Sequence, residues 1–290
     1  MNLIVNEQAW AERWPAPAKL NLMLKVVGRR ADGYHLLQTV FQMTDLCDWL
    51  SFKPLVEDAV RLQNPIQGVA EQDDLTVRAA RLLKIRAGYR QGVSIELEKN
   101  LPLGGGLGGG SSDAATTLVV LNHLWGLGLS TDELMALGLQ LGADVPVFVF
   151  GQSAWGEGVG EILKAVLVPE HWLVIIKPDC HVNTKEIFSA EGLTRDSPQV
   201  TMADFIDGDC GNDCTKIVTE LYPPVKQAIE ALSEYAEARL TGTGACVFAQ
   251  FASESKARAA YSVLRDNWQV YLAKGCNRSP LYGKLKHGLS

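Results

Sequence analysis

The stretch Leu101-Pro102-Leu103-Gly104-Gly105-Gly106-Leu107-Gly108-Gly109-Gly110-Ser111-Ser112 contains six glycines within seven residues. Such a backbone can approach a ligand closely, and its successive N–H groups can converge on that ligand. The stretch follows an alternating strand at residues 93–97 and precedes a helix that Ser111 and Ser112 are expected to cap. A strand, a glycine loop and a helix N-terminus in this order predict a cradle for anions, most naturally for phosphate groups.

The spacing of the glycines distinguishes the known classes of phosphate loop. A P-loop requires Gly-x-x-x-x-Gly-Lys-Ser/Thr, and this class is excluded because no lysine follows these glycines. Gly104, Gly106 and Gly109 satisfy the Gly-x-Gly-x-x-Gly spacing of dinucleotide-binding folds. That match is weak, because Glu96 and Glu98 interrupt the apolar run that a buried parallel strand would have. A turn without a ligand is also disfavoured, because ordering so many glycines is entropically unfavourable.

The composition excludes several classes of protein. The 290 residues are 47% hydrophobic, and 27 Lys and Arg against 33 Asp and Glu give a net charge of −6. No basic block is present, so a nucleic-acid partner is not expected. The apolar runs are much shorter than the ~20 residues that span a bilayer, so no membrane association is expected. Six scattered cysteines, typical of reduced thiols, and the lack of a basic N-terminal signal predict a cytoplasmic location.

The predicted strands and helices alternate without the regular spacing of a βαβ repeat, which favours an α+β fold. Glycines cluster at residues 151–160, and we place the boundary between two domains there. The strand at residues 18–26 alternates apolar and polar side chains and is expected to be half-buried. Lys19 and Asn21 share its polar face, so both side chains point toward the same space.

Several stretches together resemble the GHMP superfamily, which includes galactokinase, homoserine kinase, mevalonate kinase and phosphomevalonate kinase. The glycine loop resembles its phosphate-binding motif, residues 17–22 its first strand, and residues 240–248 its C-terminal glycine motif. Within the superfamily, residues 30–35 and 141–148 are similar to the kinases that act on 4-diphosphocytidyl-2-C-methyl-D-erythritol. The motifs occur in the same order as in that family, over residues 16–251.

The resemblance implies a two-domain α+β kinase of the GHMP-kinase-like fold, with the active site in the cleft between the domains. It implies an ATP-binding domain over residues 1–158 and a substrate-binding domain over residues 159–290. The implied reaction transfers the γ-phosphate of ATP, with Mg²⁺, to the 2-hydroxyl of 4-diphosphocytidyl-2-C-methyl-D-erythritol, in the non-mevalonate route to isoprenoid precursors. The implied partners are this small molecule and ATP, and the oligomeric state stays open.

The chain departs from the superfamily at the expected magnesium ligand. Many members have serine directly after Gly-Leu-Gly, where this chain has Gly109 and Gly110. The hydroxyl that would hold Mg²⁺ therefore cannot be assigned by position. Ser111 or Ser112 is one alternative, and the phosphates and water alone are another.

Lys19 and Asp144 are the catalytic residues that the resemblance implies. A sugar alcohol is a poor nucleophile, so its proton needs an acceptor and the phosphate charge needs cations. Asp144 is the expected base, and Lys19 would keep it ionised and attract the γ-phosphate. Without the resemblance, a C-terminal cap or turn residue is the better interpretation of Asp144, and a solvated strand face is the better interpretation of Lys19.

The other expected contacts divide between ATP and the alcohol substrate. Asn21 would hydrogen-bond near the reacting hydroxyl, and Tyr34 and His35 would stack on and hydrogen-bond the cytosine. Phe188 would complete the sandwich, although a place in the core explains it about equally well. The expected diphosphate contacts are Thr243 and Gly244, and Thr184 is a further expected substrate contact. The expected ATP contacts are Pro102, Leu103, Gly104, Gly105, Gly106, Leu107, Gly108, Gly109, Gly110, Ser111 and Ser112.

Overall fold

Strands and helices alternate irregularly in the computed structural model, which describes residues 7–206, 208 and 211–287. The strands are β1 (Arg13–Arg29), β2 (His35–Leu55), β3 (Val60–Leu62), β4 (Gly92–Glu98), β5 (Ala154–Glu157), β6 (Ile162–Ala165), β7 (Trp172–Lys177), β8 (Ala238–Leu240), β9 (Val247–Phe251) and β10 (Gln269–Cys276). The helices are α1 (Glu7–Trp10), α2 (Leu75–Ala87), α3 (Gly109–Leu124), α4 (Thr131–Leu139), α5 (Val145–Phe150), α6 (Thr184–Ser189), α7 (Met202–Ile206), α8 (Thr215–Leu221), α9 (Pro223–Ser233), α10 (Glu254–Leu264) and α11 (Pro280–His287). The predicted α+β class is confirmed.

Two features of the described residues bear on the sequence expectations. None of their helices has the length and apolar character needed to cross a membrane. Their five cysteines are free thiols, as predicted. Cys210, the sixth cysteine of the chain, lies outside the described residues.

A single 10-stranded sheet connects the two halves of the chain, in the order β3-β4-β2-β10-β7-β9-β8, with β1 and β5 also paired to β2. The long hairpin of β1 and β2 runs from the pair Arg13–Ser51 to the pair Arg29–His35. Strand β10 joins β2 through only two residue pairs, and it continues along β7 through six. The hairpin therefore carries the N-terminal half of the sheet, and β10 connects it to the C-terminal half.

Strand β1 has one edge, called its free edge here, that no named strand pairs with and that loops cover instead. Its Lys19 N–H donates to Leu107 O at 3.0 Å, and its Asn21 N–H donates to Thr241 Oγ1 at 2.9 Å. Among the named strands, only β2 pairs with β1, along its opposite edge. A strand paired on one edge tolerates Pro15, because proline has no N–H to donate to a second neighbour. The edge of β1 thus fixes the positions of both glycine motifs.

Leu107 is the one side chain larger than hydrogen within residues 104–110, and it anchors the loop. It is only 1% exposed and belongs to the apolar cluster that includes Leu20 of β1 and Phe248 of β9. Burial of a leucine side chain stabilises a fold by about 2 kcal/mol. The glycines are therefore held on both sides of a side chain that is fixed in the core.

Two expectations from the sequence are wrong. Strand β1 is not half-buried, because Gly108 packs against Lys19 and Gly242 packs against Asn21, which leaves these side chains 3% and 4% exposed. Ser111 and Ser112 do not cap α3, because the helix already begins at Gly109. Its N-cap residue is Gly108, which has no side chain that could accept a hydrogen bond. Gly108 has φ +75°, a conformation that serine adopts only with strain, so the loop has to enter the helix through glycine.

Gly106 is the point of closest approach between the loop and the C-terminal glycine motif. A Cβ atom on Gly106 would lie 2.7 Å from Gly244 O and 2.9 Å from Thr241 O. Both obstacles are backbone atoms, and Gly106 also has φ +77°. A side chain at this position therefore requires the two motifs to move apart.

We expect Gly106→Ala to lower the free energy of unfolding by about 2–4 kcal/mol in urea denaturation, from left-handed strain plus overpacking. The matched control is Gly126→Ala, because Gly126 has φ +62° but open space around its added Cβ. The control should lose only the strain, about 1 kcal/mol. Equal losses in the two variants would contradict this close approach.

Candidate active site

A cavity of about 310 Å³ lies where the edge of β1, the glycine loop and the C-terminal glycine motif meet. A second cavity of about 520 Å³ shares part of its lining with the first. The predicted site residues that line the first cavity are Lys19, Asn21, Gly106, Ser111, Asp144, Thr184, Phe188 and Thr243. Those that line the second are Tyr34, His35, Thr184 and Phe188. The fold thus brings together residues from both ends of the chain.

The remaining predicted residues do not line either cavity. Leu107 and Ser112 are buried, whereas the Leu103 side chain is 61% exposed. Gly244 lies behind the cavity wall, with its carbonyl oxygen against Gly106. The other residues of this group are Pro102, Gly104, Gly105, Gly108, Gly109 and Gly110.

The Lys19 ammonium group lies between two oxygen acceptors on the cavity wall. Its Nζ donates to Asn21 Oδ1 at 2.6 Å and lies 3.4 Å from Asp144 Oδ2. The side chain of Lys19 is 4% exposed, so its charge is almost removed from water, whereas that of Asp144 is 41% exposed. A buried ammonium is favourable only with such partners, and these partners also fix its position.

Asn21 connects Lys19 to the neighbouring strand. Its Nδ2 donates to Thr39 Oγ1 at 2.8 Å, and Thr39 in turn donates to Met23 O at 2.6 Å. This chain of hydrogen bonds orients the Asn21 amide with its oxygen toward the ammonium. Thr39, which also lines the cavity, was missed by sequence reasoning because a threonine within a long strand carries no distinguishing pattern.

Asp144 precedes α5, a helix of only 6 residues, and occupies its N-cap position. Its side chain makes no cap hydrogen bond, but the residue does lie in a turn, as the competing interpretation expects. The carboxylate instead faces the cavity beside Lys19. An exposed carboxylate next to a fixed cation can accept a proton from a ligand hydroxyl.

The glycine loop presents its backbone next to this ion pair. A Cβ atom on Gly108 would lie 2.7 Å from the Phe148 ring and 3.3 Å from Lys19 Cε, so only glycine allows this packing. Helix α3, 16 residues long, begins directly after Gly108. Its unpaired N–H groups add partial positive charge to the loop, which suits a phosphate ligand.

His35 and Phe188 face each other in the second cavity. Their ring centroids lie 5.0 Å apart with an interplanar angle of 24°. Tyr34 is 62% exposed and lies on the same cavity wall. Phe188 also packs against the C-terminal apolar cluster, so the core interpretation and the site interpretation both describe part of its environment.

Arg195 contacts this wall without lining the cavity, and sequence reasoning missed it. Its Nε donates to His35 Nε2 at 3.2 Å, and its terminal nitrogen donates to Phe188 O at 3.0 Å. Arginine only donates, so Nε2 accepts and the proton of neutral His35 lies on Nδ1. Burial first, and then the charges of Arg195 and Arg29, lower the pKa of His35. No motif surrounds Arg195, and only the fold brings it to His35.

Comparisons with known proteins agree with this geometry. Residues 74–152 match the GHMP kinases N terminal domain, and residues 200–270 match the GHMP kinases C terminal domain. The 4-diphosphocytidyl-2-C-methyl-D-erythritol kinase of Methylococcus capsulatus is 56% identical over 94% of this chain and 94% of its own. The chain belongs to the 4-diphosphocytidyl-2-C-methyl-D-erythritol kinase family of GHMP kinases.

A second relative and two solved structures are also similar to this chain. The 4-diphosphocytidyl-2-C-methyl-D-erythritol kinase of Nitrosococcus oceani is 52% identical over 94% of this chain and 98% of its own. A crystal structure of 4-(cytidine 5'-diphospho)-2C-methyl-D-erythritol kinase has a TM-score of 0.81 and 32% identity, covering 91% of this chain and 99% of that one. Methanococcus jannaschii mevalonate kinase shares the fold, with a TM-score of 0.68 and 17% identity over 92% of this chain and 98% of its own. The predicted resemblance is confirmed.

We expect Arg195→Met to raise the pKa of His35 toward its ordinary value, because the variant loses both the nearby positive charge and the donor to Nε2. An NMR titration of the His35 Cε1 proton measures this pKa. Arg265→Met is the matched control, since Arg265 is exposed, packs on Tyr261 and is not among the groups that shift His35. An unchanged or lower pKa in Arg195→Met would contradict the assigned contact.

Proposed function

We propose that this kinase transfers the γ-phosphate of ATP to the 2-hydroxyl of 4-diphosphocytidyl-2-C-methyl-D-erythritol, giving the 2-phosphate and ADP in isoprenoid precursor biosynthesis. The observation that carries the proposal is one pair of adjoining cavities that meets three needs of this reaction. A glycine loop suits the phosphates, the Lys19–Asp144 pair suits proton and phosphoryl transfer, and the His35–Phe188 pair suits a base. Relatives at 52–56% identity carry the corresponding name.

The proposed chemistry is direct transfer within the first cavity. Asp144 accepts the proton of the substrate hydroxyl as that oxygen attacks the γ-phosphorus, and ADP leaves on the opposite side. Lys19 supplies positive charge next to Asp144 and next to the phosphoryl oxygens during transfer. This assignment is supported by the 3.4 Å separation of the two groups and by the exposure of the carboxylate.

The glycine loop is proposed to wrap the ATP phosphates from residue 102 to residue 112. Gly106 and Ser111 line the first cavity, so the γ-phosphate would lie nearest to them. The backbone N–H groups of the loop and the start of α3 supply the positive field, in place of a P-loop lysine. The N-terminal domain, residues 1–158, would accordingly hold ATP, and residues 159–290 would form the substrate-binding domain.

Mg²⁺ is proposed to arrive with ATP. Among the residues that the structure describes, no group of three or more His, Cys, Asp or Glu side chains could hold a metal ion. Ser111 offers a hydroxyl on the cavity wall, and the buried Ser112 Oγ lacks a hydrogen-bond partner within the described part of the chain. Mg²⁺ commonly keeps several waters and binds substrate phosphates, so one serine hydroxyl fits such an ion. When bound, it would neutralise charge on the transferred phosphoryl group.

The alcohol substrate is proposed to extend from the first cavity into the second. Its hydroxyl would lie near Asn21 and Asp144, and its cytosine near His35, whose Nδ1 proton is available to a base acceptor. Tyr34 and Phe188 would enclose the ring by stacking. The residues proposed to line the diphosphate are Thr184 and Thr243, whose hydroxyls lie 2.9 Å apart, whereas Gly244 would support them from behind the cavity wall.

Two rival functions are less well supported. A kinase for mevalonate or homoserine would have no use for the aromatic wall, because those substrates contain no base. A nucleotide-binding protein without catalytic activity would not require Lys19 and Asp144 to face the same cavity. We also propose a cytoplasmic location, in keeping with the free thiols of the described cysteines.

The test is ADP release by the purified protein with ATP, Mg²⁺ and a panel of alcohols. The panel contains 4-diphosphocytidyl-2-C-methyl-D-erythritol, mevalonate and homoserine, and a reaction without an alcohol gives the hydrolysis background. We expect turnover above this background with the diphosphocytidyl alcohol alone. Turnover of mevalonate or homoserine without turnover of the diphosphocytidyl alcohol would overturn the proposal.

A further inference from the structure

The partly buried ammonium group of Lys99 lies behind the glycine loop and outside both cavities. It donates to Asp113 Oδ2 at 2.8 Å and also to Asp48 Oδ2. The Lys99 side chain is 19% exposed, and those of Asp48 and Asp113 are 0% and 1% exposed. We call these three residues the Lys99 cluster.

The Lys99 cluster connects both ends of the glycine loop to the sheet. Asp48 belongs to β2, and its Oδ1 accepts the backbone N–H groups of Asn100 at 2.6 Å and Leu101 at 2.7 Å, where the loop begins. Asp113 belongs to α3, just after the loop ends. Lys99 joins the two carboxylates, so one ammonium group sets the distance between the entrance and the exit of the loop.

The packing around Lys99 indicates that the loop has formed against it. A Cβ atom on Gly109 would lie 3.3 Å from Lys99 Nζ, which is a tight contact. The glycines themselves have no side chains with which to fix the loop. Contacts with residues outside the loop therefore have to hold the loop N–H groups in the arrangement that binds phosphate.

The cluster is an unfavourable choice if stability alone matters. It buries two carboxylates against one ammonium, and Asp113 Oδ1 has no hydrogen-bond partner among the described residues. Well-packed apolar side chains in the same space are often as stabilising as such a cluster. A geometric role at the loop accounts for a charged cluster that packing does not require.

We propose that Lys99 is a positioning residue for ATP, because its ammonium group, held by Asp48 and Asp113, fixes the two ends of the glycine loop. The inference rests on the proposed function, in which this loop binds ATP. None of the three residues lines the cavities in which the alcohol would lie. Loss of the cluster therefore acts on ATP binding and leaves alcohol binding unchanged.

Two substitutions at Asp113 separate the effect of its hydrogen bond to Lys99, called the tether here, from the effect of its negative charge. Asp113→Leu and Asp113→Asn remove the same negative charge, but only asparagine keeps an oxygen that can accept from Lys99. Both variants leave the Lys99–Asp48 pair balanced in charge, which favours folding. Assays are run above neutral pH, where the ionised form of wild-type Asp113 is favoured, because burial raises the pKa of this carboxyl group.

We expect Asp113→Leu to raise the KM for ATP about tenfold, with the KM for the diphosphocytidyl alcohol unchanged. Asp113→Asn should remain within about twofold of wild type for both substrates. Lys84→Met is the control for loss of a buried lysine ion pair elsewhere, since Lys84 pairs with Asp58. It should change neither KM.

The proposal is overturned if Asp113→Leu and Asp113→Asn shift the KM for ATP equally, or if the two KM values rise together. Thermal unfolding checks each variant, and Asp113→Ala replaces Asp113→Leu, with the same expectation, if the latter does not fold. Absence of turnover in the wild-type protein would instead refute the proposed function. In that case, calorimetry on the same variants measures their affinity for ADP. We expect Asp113→Leu to bind ADP more weakly than wild type, and an unchanged affinity would overturn the proposal.

Discussion

The free edge of β1 is the constraint on which the rest of the structure depends. Lys19 and Asn21 each have a backbone N–H on this edge that strand β2 does not reach. The glycine loop satisfies the first through Leu107 O, and Thr241 satisfies the second. A buried N–H without a partner would cost about 1–3 kcal/mol, so the two motifs are held where the edge requires them. The side chains of Lys19 and Asn21 line the first cavity, so the strand edge that positions the two motifs also positions these candidate site residues.

Close contact between these segments explains the glycines better than loop mobility does. Gly106 and Gly108 touch the C-terminal motif and the Phe148 ring so tightly that a methyl group cannot be added. Leu107 between them is fixed in the core. The loop is therefore a rigid surface of backbone donors, and Lys99 and Asp113 extend that rigidity to its exit. In the proposed function, donors that are fixed before ATP binds do not have to be ordered when it binds, which would favour phosphate binding.

Sequence motifs predicted those parts of the candidate site that have a local pattern. The glycine loop, Lys19 and Asp144 stand in distinctive stretches, and the structure brings Lys19 and Asp144 within 3.4 Å. The burial of β1 was predicted incorrectly, because alternation shows which residues share a face and not what covers that face. The serine caps failed for a related reason, since residue preference does not report that the chain enters α3 at Gly108 with positive φ.

Other site residues could not be predicted, because they act through contacts that are distant in sequence. Arg195 reaches His35 from the opposite half of the chain, and no pattern marks it in advance. Lys99 directly precedes the loop, yet its partners Asp48 and Asp113 come from a strand and a helix that only the fold brings together. Buried polar contacts of this kind depend on register and packing, which single-residue patterns do not encode.

A double-mutant cycle on kcat tests most directly whether Lys19 and Asp144 act as one unit. The cycle compares Lys19→Met, Asp144→Asn and the double variant under saturating ATP and alcohol. Each single substitution should lower kcat by about 10²–10⁴-fold, and the double variant should be no slower than the slower single variant. Losses that multiply in the double variant would contradict a joint role and would show that the two residues act independently.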